Sequence, residues 1–287
     1  MTSSTVQKPT ANDLYRECQQ LAKQGQPVFP CWPTGERVKA PMTRNGLKDA
    51  TTDTSQIKRW WQKNRDAAIG MPTGIVWDVL DVDVKNGQDG RGFLPRLLRH
   101  GLLDGCQKLI RTPSGGWHLY FPASGQQRNK SRGSLGLDVR GVGGYVLAPP
   151  SWIDNGGSST GVYELVDTPT DGTKEPLMWD LILATIAPED EDTGDPITLP
   201  SLERQASVAA LKSWLFDRES GERNNALHWA VRRCLDSGID PNELEEVALH
   251  IGLTEFEVRA TIDGAIKRTG ADVSELLSEV EAVFGTD

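Results

Sequence analysis

The sequence predicts an α+β domain followed by a small all-α domain. Three observations predict it. Short runs of β-branched residues alternate with amphipathic stretches as far as residue 186, an acidic stretch with three prolines fills 187–200, and only helical periodicity follows. With 287 residues the chain can bury two cores. The expected division is therefore 1–186 for the α+β domain, 187–200 for a linker, and 201–287 for a helical bundle.

Residues 11–25 carry Leu14, Cys18 and Leu21 at helical spacing and end at a glycine, which predicts a first helix. After the apolar run VFPCW, the stretch GLKDATTDTSQIKRWWQKN offers Asp53 or Thr54 as the N-cap of a helix bearing Ile57, Trp60 and Trp61. IVWDVLDVDV reads as a strand, GRGFLPRLLRHGL as a helix, and KLIRT, WHLYF, GLDVR, YVLAPP and GVYEL as short strands. Beyond the linker, five stretches have helical pattern: LERQASVAALKSWLFD, RNNALHWAVRRCLDSG, PNELEEVALHIG, TEFEVRATIDGAIKRTG and VSELLSEVEAVF. Pro241 suits a first helical turn, and Thr254 precedes Glu257 at capping-box spacing. In the second of these stretches Leu227, Val231, Cys234 and Leu235 form an apolar stripe, with Arg232 and Arg233 expected to face elsewhere.

Composition narrows the classes. Hydrophobic residues at 37% and charged residues at 25% suit an ordinary globular chain, and no apolar run is long enough to span a bilayer. The start MTSSTVQKPT lacks the basic and apolar regions of a secretion signal, so the expected compartment is the cytoplasm. Four scattered cysteines, Cys18, Cys31, Cys106 and Cys234, form no CxxC pair, and no structural zinc is expected. The net charge of -9 conceals an asymmetry: residues 1–186 hold 22 Lys plus Arg against 18 Asp plus Glu, net +4, and residues 187–287 hold 9 against 22, net -13. Any polyanion is expected to meet the first part.

Three motifs carry candidate chemistry. In IVWDVLDVDV, strand alternation puts Trp77, Val79, Asp81 and Asp83 on one face. Like charges side by side are costly unless a cation lies between them, and Mg²⁺ or Mn²⁺ takes hard oxygen ligands of this kind. An isolated DxD is also compatible with a solvated strand end running into a turn, where Asp is common. In RTPSGGWHLYFP, a Ser114-Gly115-Gly116 turn joins two strands and His118 follows; the glycines admit close approach of a phosphate to backbone N–H groups, or simply make a hairpin. In SLGLDVRGVGGYVLAPPSW, Asp138 and Arg140 share a strand face, as a metal–triphosphate site or as a surface ion pair.

The order DVD, SGGWH, LDVRGVGGYVLAPPS, with GLKDATTDTSQIKRWW upstream, resembles the primase-polymerase family of the archaeo-eukaryotic primase superfamily, of the type on phage and plasmid replication proteins. The resemblance covers about the first 185 residues. It implies an RRM-like catalytic core with an antiparallel sheet, two divalent ions, Mg²⁺ or Mn²⁺, held by Asp81, Asp83 and Asp138, and a nucleotide contact from His118. It implies DNA-templated primer synthesis and extension, with single-stranded DNA and nucleoside triphosphates as partners. Ser114, Gly115, Gly116, His118 and Arg140 are the expected triphosphate neighbours, with Lys48 and Arg111 as secondary candidates. Arg128, Lys130 and Arg132 could grip template phosphates. GERNNALHWAVRRCLDSG resembles a helical segment that follows this domain in replication proteins, often ahead of a helicase; this chain holds no Walker motif. A replicative helicase, in cis or in trans, is the expected partner. Two other readings stay open: a metal-dependent nuclease or nicking initiator, and a DNA-binding module whose acids hold a structural ion.

Overall fold

The computed structural model describes residues 7–85, 87–99, 101–168, 176–186, 208–218 and 223–269. The expected linker at 187–200 and the last predicted helix, VSELLSEVEAVF, lie outside the described residues. The chain forms two compact units, residues 1–92 with 105–177, and residues 93–104 with 178–287.

In the first unit, helix α1 (Ala11–Lys23) begins at a capping box. Asp13 N–H donates to the Thr10 hydroxyl, and the Thr10 N–H and hydroxyl donate to the Asp13 carboxylate. Its buried face is Leu14, Cys18, Leu21 and Ala22. Helix α2 (Thr54–Lys63) starts at Asp53, whose carboxylate accepts from Ser55 N–H, and it buries Ile57 and Trp61. The strands are β1 (Phe29–Cys31), β2 (Ala68–Pro72), β3 (Trp77–Val82), β4 (Val84–Lys85), β5 (Gln88–Asp89), β6 (Lys108–Arg111), β7 (Trp117–Pro122), β8 (Lys130–Arg132), β9 (Leu137–Arg140), β10 (Tyr145–Ala148), β11 (Trp152–Ile153), β12 (Gly161–Val162) and β13 (Glu164–Asp167).

The largest sheet has the order β13-β6-β7-β3-β9-β8, and every pairing in it is antiparallel. A second sheet, β1-β2-β10, is also antiparallel. Val79, Ile110 and Tyr120 of the large sheet share one core with Phe29, Ile69, Met71, Val146 and Leu147 of the small one, and with Leu14, Ile57 and Trp61 of the helices. The opposite face of the large sheet buries Leu80, Val82, Leu119, Phe121, Leu137 and Val139. Strand β3 is thus buried on both faces, which explains why its sequence is nearly all apolar apart from its aspartates.

The second unit contains α3 (Leu94–Arg99), α4 (Trp179–Ile186), α5 (Val208–Phe216), α6 (Arg223–Asp236), α7 (Glu245–His250) and α8 (Glu255–Thr269). Pro241 opens a short 3-10 turn capped by Asp240, and Thr254 and Glu257 form the expected box at the start of α8. One expectation is corrected. Arg232 and Arg233 do not face away from the core: they are 7% and 4% exposed, whereas Leu235 is only half-buried. Helix α6 packs against α5, α8 and the 241–244 turn together, so burial surrounds it and a single apolar stripe no longer marks its inner face. Among the described residues, no helix is long and apolar enough to cross a membrane.

Candidate metal and nucleotide site

The site is built across β7, β3 and β9. Asp81 of β3 lies opposite His118 of β7 on one side and opposite Asp138 of β9 on the other. Residues directly opposite in register point to the same face, so these three side chains form a row across the sheet. Asp83 lies just past the end of β3. Its N–H donates to Gly136 O at 2.8 Å and its carbonyl accepts from Gly90 N–H at 3.0 Å, which fixes the chain where it leaves the strand. One carboxylate oxygen from each of Asp81, Asp83 and Asp138 lies within 4.8 Å of the others. The segments 79–83 and 136–140 therefore converge. Asp81 and Asp138 are each 9% exposed, and Asp83 is half-buried.

Arg140, two residues along β9, shares the face of Asp138. Its Nη2 donates to Asp138 Oδ2 at 2.6 Å and to Asp81 Oδ2 at 3.2 Å. One guanidinium offsets part of the negative charge of three clustered carboxylates. Asp138 Oδ1 is buried with no hydrogen-bond partner among the described residues. Hard oxygens at this separation, with charge left over and a buried oxygen unpaired, fit a divalent ion such as Mg²⁺ or Mn²⁺. Asp81, Asp83 and Asp138 could hold it.

His118 Nε2 is 3.5 Å from Asp81 Oδ1, and its ring lies 5.5 Å from that of Tyr163. Burial, and after it the positive charges of Lys39 and Arg140, push its pKa down to about 3, against the pull of Asp83. The imidazole is therefore neutral at neutral pH, with one ring nitrogen a donor and the other an acceptor.

These groups open onto a cleft of about 280 Å³. The large sheet contributes Asp81, His118 and Arg140, Asp83 follows the end of β3, and Thr112 and Ser114 come from the adjoining turn; Lys39, Tyr145 and Leu147 line it as well. The 112–116 turn is a closed hairpin, with Thr112 N–H to Gly116 O at 2.9 Å and Gly115 N–H to Thr112 O at 3.0 Å. Gly115 has φ +85, and a side chain on Gly116 would collide with the Val82 carbonyl. Both glycines thus serve the turn and its close approach to β3, and neither lines the cleft; of the SGG trio only Ser114 does.

The secondary candidates lie elsewhere. Lys48 is exposed on the 46–49 turn. Arg111 is exposed on β6, stacked over the Trp117 ring at 5.4 Å, and its register partner Trp117 alternates with His118, so it belongs to the other sheet face. On the edge strand β8, Ser131 is opposite Asp138 while Lys130 and Arg132 are opposite Val139 and Leu137, again on the other face; Arg128 precedes the strand and is exposed. Sequence reasoning missed Lys39, Thr112, Tyr145 and Tyr163. Tyr145 had a signal, since it alternates with Leu147 in YVLA; Lys39 sits in an aperiodic loop and had none.

A model of the family described as bifunctional DNA primase/polymerase, N-terminal (Prim-Pol), matches residues 18–178, 161 of the 287 residues. The matched span contains every residue of the cleft. No curated protein matches the chain.

Proposed function

The chain belongs to the bifunctional DNA primase/polymerase family, and on that premise we propose that it is a DNA-templated nucleotidyltransferase that starts primers and extends them in phage or plasmid replication. The observation that carries this reading is the row of Asp81, Asp138 and His118 across three neighbouring strands, with Asp83 and Arg140 beside it.

Phosphoryl transfer needs placement and charge neutralisation more than covalent help. Asp81, Asp83 and Asp138 would hold two Mg²⁺ or Mn²⁺ ions, which when bound neutralise the triphosphate and favour ionisation of the primer 3′-hydroxyl. Arg140 is placed to follow charge between the carboxylates and phosphate oxygens. Neutral His118 offers a hydrogen bond to the nucleotide without adding a charge. Ser114 supplies a hydroxyl at the same wall. Arg128, Lys130 and Arg132 form an exposed basic edge suited to template phosphates, away from the carboxylate face.

At the level of architecture, the reading takes 1–186 as a catalytic domain with an RRM-like core. It takes 187–200 as a linker and 201–287 as a helical bundle that assists initiation, with a helicase acting in cis or in trans. The decisive test is synthesis on single-stranded DNA with ribo- or deoxyribonucleotides and Mg²⁺ or Mn²⁺, comparing the whole chain with residues 1–190. Nucleotide-dependent lengthening of products supports the reading. Metal-dependent shortening of labelled DNA without nucleotides would identify a nuclease instead.

A further inference from the structure

Helix α2 carries two stripes with different uses. Ile57 and Trp61 are buried in the core, where the Trp61 indole N–H donates to Ala67 O at 3.1 Å. Asp53, Gln56, Trp60, Lys63 and Asn64, spaced by three and four, form another stripe, and all of them line a groove of about 590 Å³. The rest of the lining comes from Pro30 and the 42–51 segment, with Arg44 and Asp49. This lining is fixed by the chain itself. Met42 N–H donates to Pro30 O at 2.9 Å, Val28 and Thr51 exchange both backbone bonds at 3.0 and 3.1 Å, and Asn45 donates from its N–H and its Nδ2 to the Asp49 carboxylate at 2.8 and 2.9 Å. Trp60 packs against the core and is half-buried, so its ring is held at the groove.

An aromatic ring flanked by the carboxamides of Gln56 and Asn64 suits a nucleobase: the ring stacks, and the amides offer donors and acceptors to the base edge. The charges of the groove choose where that base comes from. Arg44 and Lys63 are balanced by Asp49 and Asp53, which leaves no surplus of positive charge for a free triphosphate, whereas a nucleotide within a strand brings one phosphate. Position agrees with charge. Lys39 lines the carboxylate cleft and bends the chain there with a left-handed φ of +69, and Met42, three residues on, lines the groove. Three residues of chain span at most about 11 Å. We propose that the groove holds one unpaired base of a single-stranded DNA template, stacked on Trp60, while the primer end lies at the carboxylates. The choice of DNA rests on the nucleotidyltransferase reading.

The test is fluorescence anisotropy of the full chain with a labelled primed template whose single-stranded overhang carries one abasic site, moved position by position. In the wild type, removing the base at one position should weaken binding by about tenfold through lost stacking on Trp60. Trp60→Ala should bind the intact template about tenfold more weakly and should lose the response at that position; Trp60→Phe should keep both affinity and response. Because Trp60 also touches the core, the double variant Gln56→Ala with Asn64→Ala tests the groove independently, and it should cut the response to about threefold. Lys58→Ala, exposed on α2 and outside the groove, should behave as wild type. A wild-type response in both Trp60→Ala and the double variant overturns the inference. So does a loss that Trp60→Ala shows with free deoxynucleoside triphosphate and not with template. Primer extension by the wild type separates the two failures: extension without a positional response removes the inference alone, and a positional response without extension keeps the inference and removes the nucleotidyltransferase reading.

Discussion

Strand β3 carries two buried carboxylates on opposite faces, and they are handled differently. Asp78 Oδ2 accepts from the Ser124 N–H at 3.0 Å and hydroxyl at 3.1 Å, and its Oδ1 is buried with no hydrogen-bond partner among the described residues. Asp81, three residues on, stands among Asp83, Asp138, His118 and Arg140. A buried acid with local donors is a piece of structure: its hydrogen bonds tie the 124 loop to the strand. Several acids gathered on one face crowd like charge, and a divalent cation among them relieves it. Clustering, more than burial, therefore identifies the site.

The sharpest way to break this contrast is to neutralise each acid in turn. Asp81→Asn should cut primer extension by at least about a hundredfold, with folding intact and melting temperature unchanged or raised, because crowded charge has been relieved. Asp78→Asn keeps an oxygen for Ser124 and should leave extension within about threefold. Equal loss in both variants, measured by extension of a labelled primer, would mean that Asp81 acts through the fold alone.

The next effect separates metal binding from catalysis. Mn²⁺ in large excess should raise the melting temperature of the wild-type chain by several degrees, since an ion held at about a hundred times its dissociation constant contributes about 2.7 kcal/mol. Asp138→Asn should abolish that shift while Asp78→Asn retains it. Differential scanning fluorimetry with and without a chelator reads both.

How much of this was legible in the sequence follows from the range of each interaction. The period-2 pattern of IVWDVLDVDV puts Asp81 and Asp83 on one face without any structure, and LDVR does the same for Asp138 and Arg140. That β3 and β9 are neighbours is a non-local fact, visible only through the order of motifs in a known family. Register is equally silent. The spacing of Arg128, Lys130 and Arg132 by two was plain, yet nothing in it said that Ser131, and not a basic residue, would stand opposite Asp138. Lys39 comes from a loop with no period, and its backbone angle leaves no mark on composition. The burial of Arg232 and Arg233 escaped because α6 is packed on several sides.

A smaller effect tests the Gly-Gly turn. Gly116→Ala would press a methyl group against the Val82 carbonyl, one residue from both Asp81 and Asp83, and should reduce extension by about tenfold through displacement of the strand end. A side chain at Gly115 meets open space, so Gly115→Ala carries only the strain of φ +85 and should cost about 1 kcal/mol of stability with extension little changed. The reverse ranking, in extension rate and urea midpoint, would return the phosphate-cradle role to Gly115.

The smallest effect concerns Asp78. Burial raises its pKa above the ordinary carboxylate value, and the hydrogen bonds from Ser124 oppose the rise without cancelling it. A folded-state pKa above the unfolded one means that the folded chain holds this proton more tightly. The contribution is fully present below the unfolded pKa and is lost as pH rises through the folded one. The Asn variant has no proton to lose. In urea denaturation across the acidic range, the stability of Asp78→Asn relative to wild type should therefore climb as pH increases, then level off once Asp78 is ionised in both states. Taking the difference between two chains at each pH cancels every other titrating group that the substitution does not touch. A difference that stays flat, or falls as pH increases, would show that Ser124 satisfies the ionised carboxylate fully.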